Sequence, residues 1–245
     1  MATAAPHTRR RDRRWLRILL WLIAAPAFGL AVYFLAAFPW ISHWGATGDE
    51  ARQALPGDEL APNPAFVATK AVTIHAPTEA VWPWLVQLGV DRGGMYSYLW
   101  VENWLLRLGV ENSDTIRPEW QALQVGDFIR FTPPDYALNP GPGLYVMAME
   151  PNRALIGCFG LEDGPPECAQ GGTWQFVLVP VDEGTTRLLL RGRGPSSGSV
   201  LADAGGKVAH VFQFYMERKM LLEVKERAER LNGTLSATFI QGLKR

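Results

Sequence analysis

Between Ile18 and Phe38 the chain runs 21 residues without a charge. At a helical rise of about 1.5 Å per residue such a run is roughly 31 Å long, the depth of one hydrocarbon core. The segment reads as a transmembrane helix. Trp15 and Trp21 at one end, with Trp40 and Trp44 at the other, match the aromatic belts of a membrane interface. Pro26 and Gly29 are tolerable inside a span. A cleaved signal peptide is the competing reading, with Ala36-Ala37 near its end, but the run exceeds an h-region of about 7–15 residues and offers no convincing A-x-A site. A twin-arginine signal fits less well, because Arg17 sits where an apolar residue is wanted. A buried core helix has no place for the arginine block in front of it.

That block also sets the direction. Arg9, Arg10, Arg11, Arg13, Arg14 and Arg17 face a single acid, Asp12, before residue 18, while Asp49, Glu50, Asp58 and Glu59 follow the span. The positive-inside rule then places the N-terminus in the cytoplasm and the body on the extracytoplasmic side. The formal charge of zero thus hides an asymmetry: beyond residue 17 there are 18 basic against 23 acidic residues. A net acidic body is poorly suited to neutralising phosphates, so general nucleic-acid binding is not expected. A mean hydropathy of -0.02 and 20% charged residues exclude a polytopic membrane protein and an intrinsically disordered chain.

The organisation expected is a basic tail over 1–17, the span over 18–38, a Pro/Gly-punctuated tether over 39–65, a folded body over 66–231 and a C-terminal tail over 232–245. In the body, alternation of Val72 and Ile74 with Thr73 and His75 predicts a first strand over about 66–75. Pro77 then opens a helix whose apolar face is Val81, Trp84, Leu85 and Leu88, and which stops at Gly89. Pro83 should kink it. After Asp91-Arg92-Gly93-Gly94, the same spacing in Val101, Trp104, Leu105 and Leu108 predicts a second helix, stopped by Gly109.

From there the period falls toward two. Strands are predicted at 127–132, 144–150, 154–159, 173–179 and 185–193, joined by short turns that favour antiparallel pairing. Val208, Phe212, Met216, Met220, Val224, Ala228 and Leu231 then form the stripe of one long helix that Asn232-Gly233 closes. Glu223 with Arg227 and Glu226 with Arg230 supply i,i+4 pairs on its solvated face. Strand, two helices, a run of strands and a closing helix make an α+β layout.

Three segments carry a resemblance. They are Ala76-Pro77-Thr78-Glu79-Ala80-Val81-Trp82-Pro83-Trp84-Leu85-Val86-Gln87-Leu88-Gly89, Arg92-Gly93-Gly94-Met95-Tyr96-Ser97-Tyr98, and Arg117-Pro118-Glu119-Trp120-Gln121 leading into Val125-Gly126-Asp127. Together with Glu217-Arg218-Lys219-Met220-Leu221 in the last helix, the chain resembles the helix-grip superfamily of SRPBCC or START-like domains, in particular its polyketide cyclase/dehydrase-like branch. The resemblance covers about 66–231. It implies a helix-grip fold, a curved antiparallel sheet wrapped around the long C-terminal helix, with a deep apolar cavity beneath that helix. Members range from lipid carriers to cyclases and hydrolases, so the fold sets a ligand type without fixing chemistry. Leu99 stands where related sequences often carry an acid, which weakens a catalytic role borrowed from the branch.

The cavity-lining candidates are Tyr96, Tyr98, Trp100, Asn103, Trp120 and Trp174, rings and an amide that combine apolar wall with polar handles. Trp84 on the first helix and Phe212 and Met216 on the last complete the set. Arg187, Leu189, Arg191 and Arg193 share one strand face. If that face lines the cavity, Arg191 holds a carboxylate or phosphate head group; otherwise the face is solvated. Arg92 with Gly93-Gly94 either gates a pocket mouth or makes a turn.

Other motifs carry less. Gly194-Pro195-Ser196-Ser197-Gly198 matches G-x-S-x-G and is followed by Asp203 and His210, but a nucleophile elbow needs a helix directly after it and partners from later strands. The four histidines are scattered and no C-x-x-C occurs, so neither a metal nor another cofactor is expected. Cys158 and Cys168 flank a loop between two strands and form a disulfide if the body is outside the cytoplasm; otherwise they are unrelated thiols. Asp91, Glu102 and Glu119 are the acid/base candidates, without a spacing that demands that role.

The reading that follows is a membrane-tethered helix-grip domain that binds a hydrophobic or amphipathic small molecule, lipid or polyketide-like. The alternatives are a cyclase or dehydrase using Tyr96, Tyr98 and Glu102, or a filled-core interaction domain that exposes an apolar patch instead of a cavity.

Overall fold

The computed structural model describes residues 9–137, 141–164 and 167–243. Residues 1–8 of the basic tail, with His7, and the last two residues of the C-terminal tail lie outside them. The chain forms two compact units, one ending at Ile41 and one beginning at Ser42.

The first unit is helical: α1 (Arg9–Val32) passes through a π-helical turn at Tyr33–Ala37 into α2 (Phe38–Ser42). From Arg14 to Ser42 it is 29 residues long, with a mean hydropathy of 2.3 over its most apolar window, long and apolar enough to cross a membrane. Its tryptophans and leucines are exposed.

The second unit begins with α3 (Gly48–Arg52) and then enters a six-stranded antiparallel sheet. The strands are β1 (Phe66–Ile74), β2 (Phe128–Arg130), β3 (Pro142–Glu150), β4 (Ala154–Leu161), β5 (Thr173–Asp182) and β6 (Thr185–Gly194). Their order is β1-β6-β5-β4-β3-β2, so the first strand pairs with the last and Lys70 stands opposite Leu190. Bulges between Val146 and Ala148 and between Pro180 and Asp182 interrupt the ladders where strands bend. Helix α4 (Thr78–Val86) follows β1, a short α5 (Cys168–Gly171) precedes β5, and α6 (Val200–Leu243) closes the chain. This is the α+β helix-grip fold.

Inward residues of the sheet, among them Val72, Ile74, Phe176, Leu188 and Leu190, pack against α4 and the second half of α6. The apolar face expected of α4, Val81, Trp84, Leu85 and Leu88, is wholly buried. Met220, Val224 and Ala228 of the α6 stripe are buried too, whereas Val208 and Phe212 are about half exposed. Over its first turns α6 therefore departs from the core and leaves space beneath it.

Four expectations are corrected. Residues 42–65 are not a free tether. Thr47 and Glu50 form a capping box that starts α3, and the segment lies against the outer face of β1 and β6. Arg187 binds Glu50 at 2.7 Å, Arg191 and Arg193 both bind Asp58, and Leu55 packs with Ala71, Val177 and Leu189. Second, the amphipathic helix over 101–108 is instead a short π-helical stretch at Trp100–Leu105. Its wider winding turns Val101 and Glu102 inward and leaves Trp104 77% exposed. Third, α6 passes through Asn232-Gly233 without a stop, since Gly233 keeps a negative φ and costs only about 1 kcal/mol inside a helix. Fourth, Arg227 is not solvated: it binds the Ser113 carbonyl, Asp114 and Glu223 and lies 4.8 Å from the Tyr96 ring. Arg230 pairs with Asp114 at 3.2 Å. Cys158 and Cys168 are joined in a disulfide.

Candidate functional site

A cavity of about 800 Å³ lies between the first half of α6, the inner face of the sheet and the π-helical stretch. That is within the range of small-molecule pockets, roughly 300–1,000 Å³. Phe131, Phe159 and Trp174 form an aromatic cluster on its sheet wall, with ring centroids 5.1 to 5.9 Å apart. Phe66, Met95, Leu106, Leu108, Phe212, Met216 and Met220 add apolar surface. Gly192 lies beside the indole on this wall, where a Cβ would stand 3.7 Å from Trp174, an ordinary van der Waals contact.

The lining also carries polar groups: Asp203 with Ser196 and Ser197 at the entry to α6, and two deeper features. The first is a network built on Lys70, a fully buried lysine on the inward face of β1. Its ammonium lies 2.5 Å from one Glu217 carboxylate oxygen and 3.1 Å from His210 Nε2. The other Glu217 oxygen accepts from Trp174 Nε1 at 2.6 Å and from Gln213 Nε2 at 2.8 Å. Because the ammonium can only donate, His210 Nε2 is the acceptor and Nδ1 carries the ring proton, directed at Gln213 Oε1 3.4 Å away. Burial, reinforced by the Lys70 charge, pulls His210 down to about 4, so the imidazole is neutral at physiological pH. The network is self-consistent, each charge met by an opposite charge or a dipole.

The second group is Glu102. It is only 3% exposed, it lines the cavity, and its Oε2 is buried without a hydrogen-bond partner. Burial alone pushes its carboxyl up to about 7.

The ten ligand-binding candidates divide sharply. Trp174, Phe212 and Met216 line the cavity. Trp84 and Tyr96 are core residues, their rings 6.0 Å apart. The Tyr96 hydroxyl accepts from Gln87 Nε2 at 2.7 Å, and burial raises it to about 12. Tyr98 stacks on Tyr215 at 4.2 Å, outside the lining. Trp100 is exposed. Asn103 clips the backbone of Val110 through both amide atoms. Trp120 carries the Arg117 guanidinium 4.6 Å from its ring. Arg191 faces away from the cavity, held by Thr69, Asp58 and the carbonyls of Glu50, Ala51 and Gln53. It is a structural clasp, because β6 turns its arginines to the opposite side from Leu188 and Leu190.

The remaining motifs resolve likewise. Asp203 accepts directly from the hydroxyls of Ser196 and Ser197, with no imidazole between, while His210 is committed to Lys70 and Gln213. The G-x-S-x-G segment is the entry to α6. Gly93 and Gly94 form a turn, where Cβ atoms would meet Tyr96 Oη and the Glu111 carbonyl at 2.5 Å. Of Tyr96, Tyr98 and Glu102, only Glu102 reaches the cavity, so the three do not converge as an acid/base set. The lined void is at odds with a filled core.

No family model matches the chain, and no curated protein does. Among solved structures it is similar to protein MLL2253 from Mesorhizobium loti, with 21% identity over 66% of this chain and 97% of that one and a TM-score of 0.35. It is also similar to the Polyketide_cyc-like protein Cgl2372 from Corynebacterium glutamicum, with 16% identity over 67% and 91% and a TM-score of 0.37. The Aha1 dimer from Colwellia psychrerythraea gives 16% identity over 67% and 96%, with a TM-score of 0.37.

Proposed function

We propose that this chain is a membrane-tethered binding protein of the polyketide cyclase/dehydrase-like kind, whose cavity holds one hydrophobic or amphipathic small molecule, a lipid or a polyketide-like compound. The observation that carries the reading is the void of about 800 Å³, walled by aromatic and methionine side chains between α6 and the sheet. A hydrophobic ligand in that space would remove its own apolar surface and that of the lining from water, which favours occupancy. The apolar helix from Arg14 to Ser42 supports anchoring at a bilayer, with the N-terminal arginines on the cytoplasmic side and residues 42–245 outside. A disulfide between Cys158 and Cys168 is in keeping with an oxidising compartment.

Native mass spectrometry of the full chain, purified in mild detergent from its native host and followed by lipid extraction, tests the reading. A stoichiometric hydrophobic ligand is the expected result. An empty protein that also binds none of a lipid and polyketide panel would overturn it.

A further inference from the structure

We infer that the bound amphiphile meets Glu102 with a hydrogen-bond donor, so that the cavity accepts molecules headed by an amine or a hydroxyl and rejects those headed by a carboxylate or phosphate. This rests on the cavity being the ligand site and names the head group it selects.

The argument is one of unmet partners. The other charged groups of the lining are already answered. Glu217 is met by Lys70, Trp174 and Gln213, and Asp203 by Ser196 and Ser197. Arg193 borders the cavity where β6 ends, but its guanidinium is turned to the outer face, on Asp58 and the Ala61 carbonyl. Two carboxylate oxygens of the described lining are buried without a hydrogen bond, Glu217 Oε2 and Glu102 Oε2; the first lies 2.5 Å from the Lys70 ammonium, and the second has neither a donor nor an ion-pair partner. A buried acceptor without a donor is costly, more so when charged, and a ligand that supplies the donor recovers that cost. An anionic head meets the opposite situation. It faces a like charge on Glu102, and the cations near the cavity, Lys70 and Arg193, are spent on Glu217 and Asp58. The aromatic cluster of Phe131, Phe159 and Trp174 then takes the apolar body.

Native mass spectrometry at pH 8 on the full chain in nanodiscs, offered an equimolar mixture of tetradecylamine, tetradecanol, tetradecyl methyl ether and myristic acid, tests this. These four share one tail and differ only in the head. We expect amine and alcohol adducts at least tenfold over those of ether and acid. In Glu102→Leu that preference disappears while ether binding persists; in Glu102→Gln the alcohol is kept and the advantage of the amine is lost. Circular dichroism confirms that both variants fold. Ether or acid binding as well as amine in the parent chain, or an undiminished preference in Glu102→Leu, overturns the inference and leaves the cavity standing as a binding site. Binding of none of the four refutes the cavity reading, and the inference with it.

Discussion

Removing Glu217 should damage this protein more than removing its partner Lys70, and removing both should damage it least. In Glu217→Leu the Lys70 ammonium stays fully buried with only His210 Nε2 to receive it, while the Trp174 N–H and the Gln213 amide lose their shared acceptor. Breaking a buried pair from one side costs about 3–5 kcal/mol, and the two orphaned donors place this variant at the upper end. In Lys70→Met the carboxylate keeps two donors, at 2.6 and 2.8 Å, so the cost should be nearer to about 3 kcal/mol. Replacing both residues by apolar ones of similar volume removes both charges, and such exchanges are often neutral; about 1–2 kcal/mol remains for the unmet indole and the part-buried Gln213 amide. The coupling between the two sites is then at least about 3 kcal/mol, a large share of a typical stability of about 5–15 kcal/mol. Urea unfolding of the full chain in mild detergent, followed by tryptophan fluorescence and far-ultraviolet circular dichroism, measures all four corners of the cycle. Single and double losses that add within about 0.5 kcal/mol would show that the pair is not coupled, and the reasoning would fall.

Other expectations follow from the same geometry. Since Glu102 titrates near 7 when folded and near 4.5 in an unfolded chain, the folded state binds more protons between those values, and the stability of the empty protein falls as pH rises through that window. The loss is on the order of 3 kcal/mol, and Glu102→Gln should abolish it and melt higher at pH 8. An unchanged pH profile in that variant would refute the assignment. Binding of an alkylamine by the parent chain should weaken below pH 7, by roughly tenfold at pH 6, because the ammonium needs the ionised carboxylate; His210, already neutral, does not contribute in that range. Cys158→Ser with Cys168→Ser opens a loop with a sequence separation of 10 and should cost about 3 kcal/mol by loop entropy, read as a lower urea midpoint. Arg191→Met should cost at least about 3 kcal/mol and expose residues 50–61 to protease, while leaving ligand selectivity unchanged, because its partners lie on the outer face of the sheet.

Much of the fold was legible because its signals are local. All six strands fall within a few residues of the alternating runs, and the face of α4 was given by four residues at i, i+3, i+4 and i+7. What escaped was set by distant partners. Residues 42–65 look like a linker until Arg187, Arg191 and Arg193, more than a hundred residues later, supply the guanidinium groups that hold Glu50 and Asp58. The stretch at Trp100–Leu105 kept helical spacing while its winding changed, so Trp104 turned out instead of in. The polar network of the site did leave a trace. Lys70 shares the parity of Val72 and Ile74 on β1, and Glu217 lies between Met216 and Met220 on the α6 stripe, two charges on faces that otherwise read as core. Glu102 was named as an acid without a task; its burial, which composition does not reveal, is what sets it apart.

The pairing of β1 with β6 also orders events in time. Thr69 and Arg191, which meet across that ladder, are 122 residues apart. A ribosome adding about 5–20 residues per second needs on the order of ten seconds to bridge them. Over that interval β1 and the segment before it have emerged but have no edge to join, while β2 to β5 can already pair with their neighbours in a local meander. Assembly is expected to finish from both ends at once: the arrival of β6 gives the nascent first strand its neighbour and brings the three arginines that fasten residues 42–65. A chain halted before residue 185 would retain the meander yet leave its N-terminal portion unclaimed, a ready substrate for chaperones and proteases.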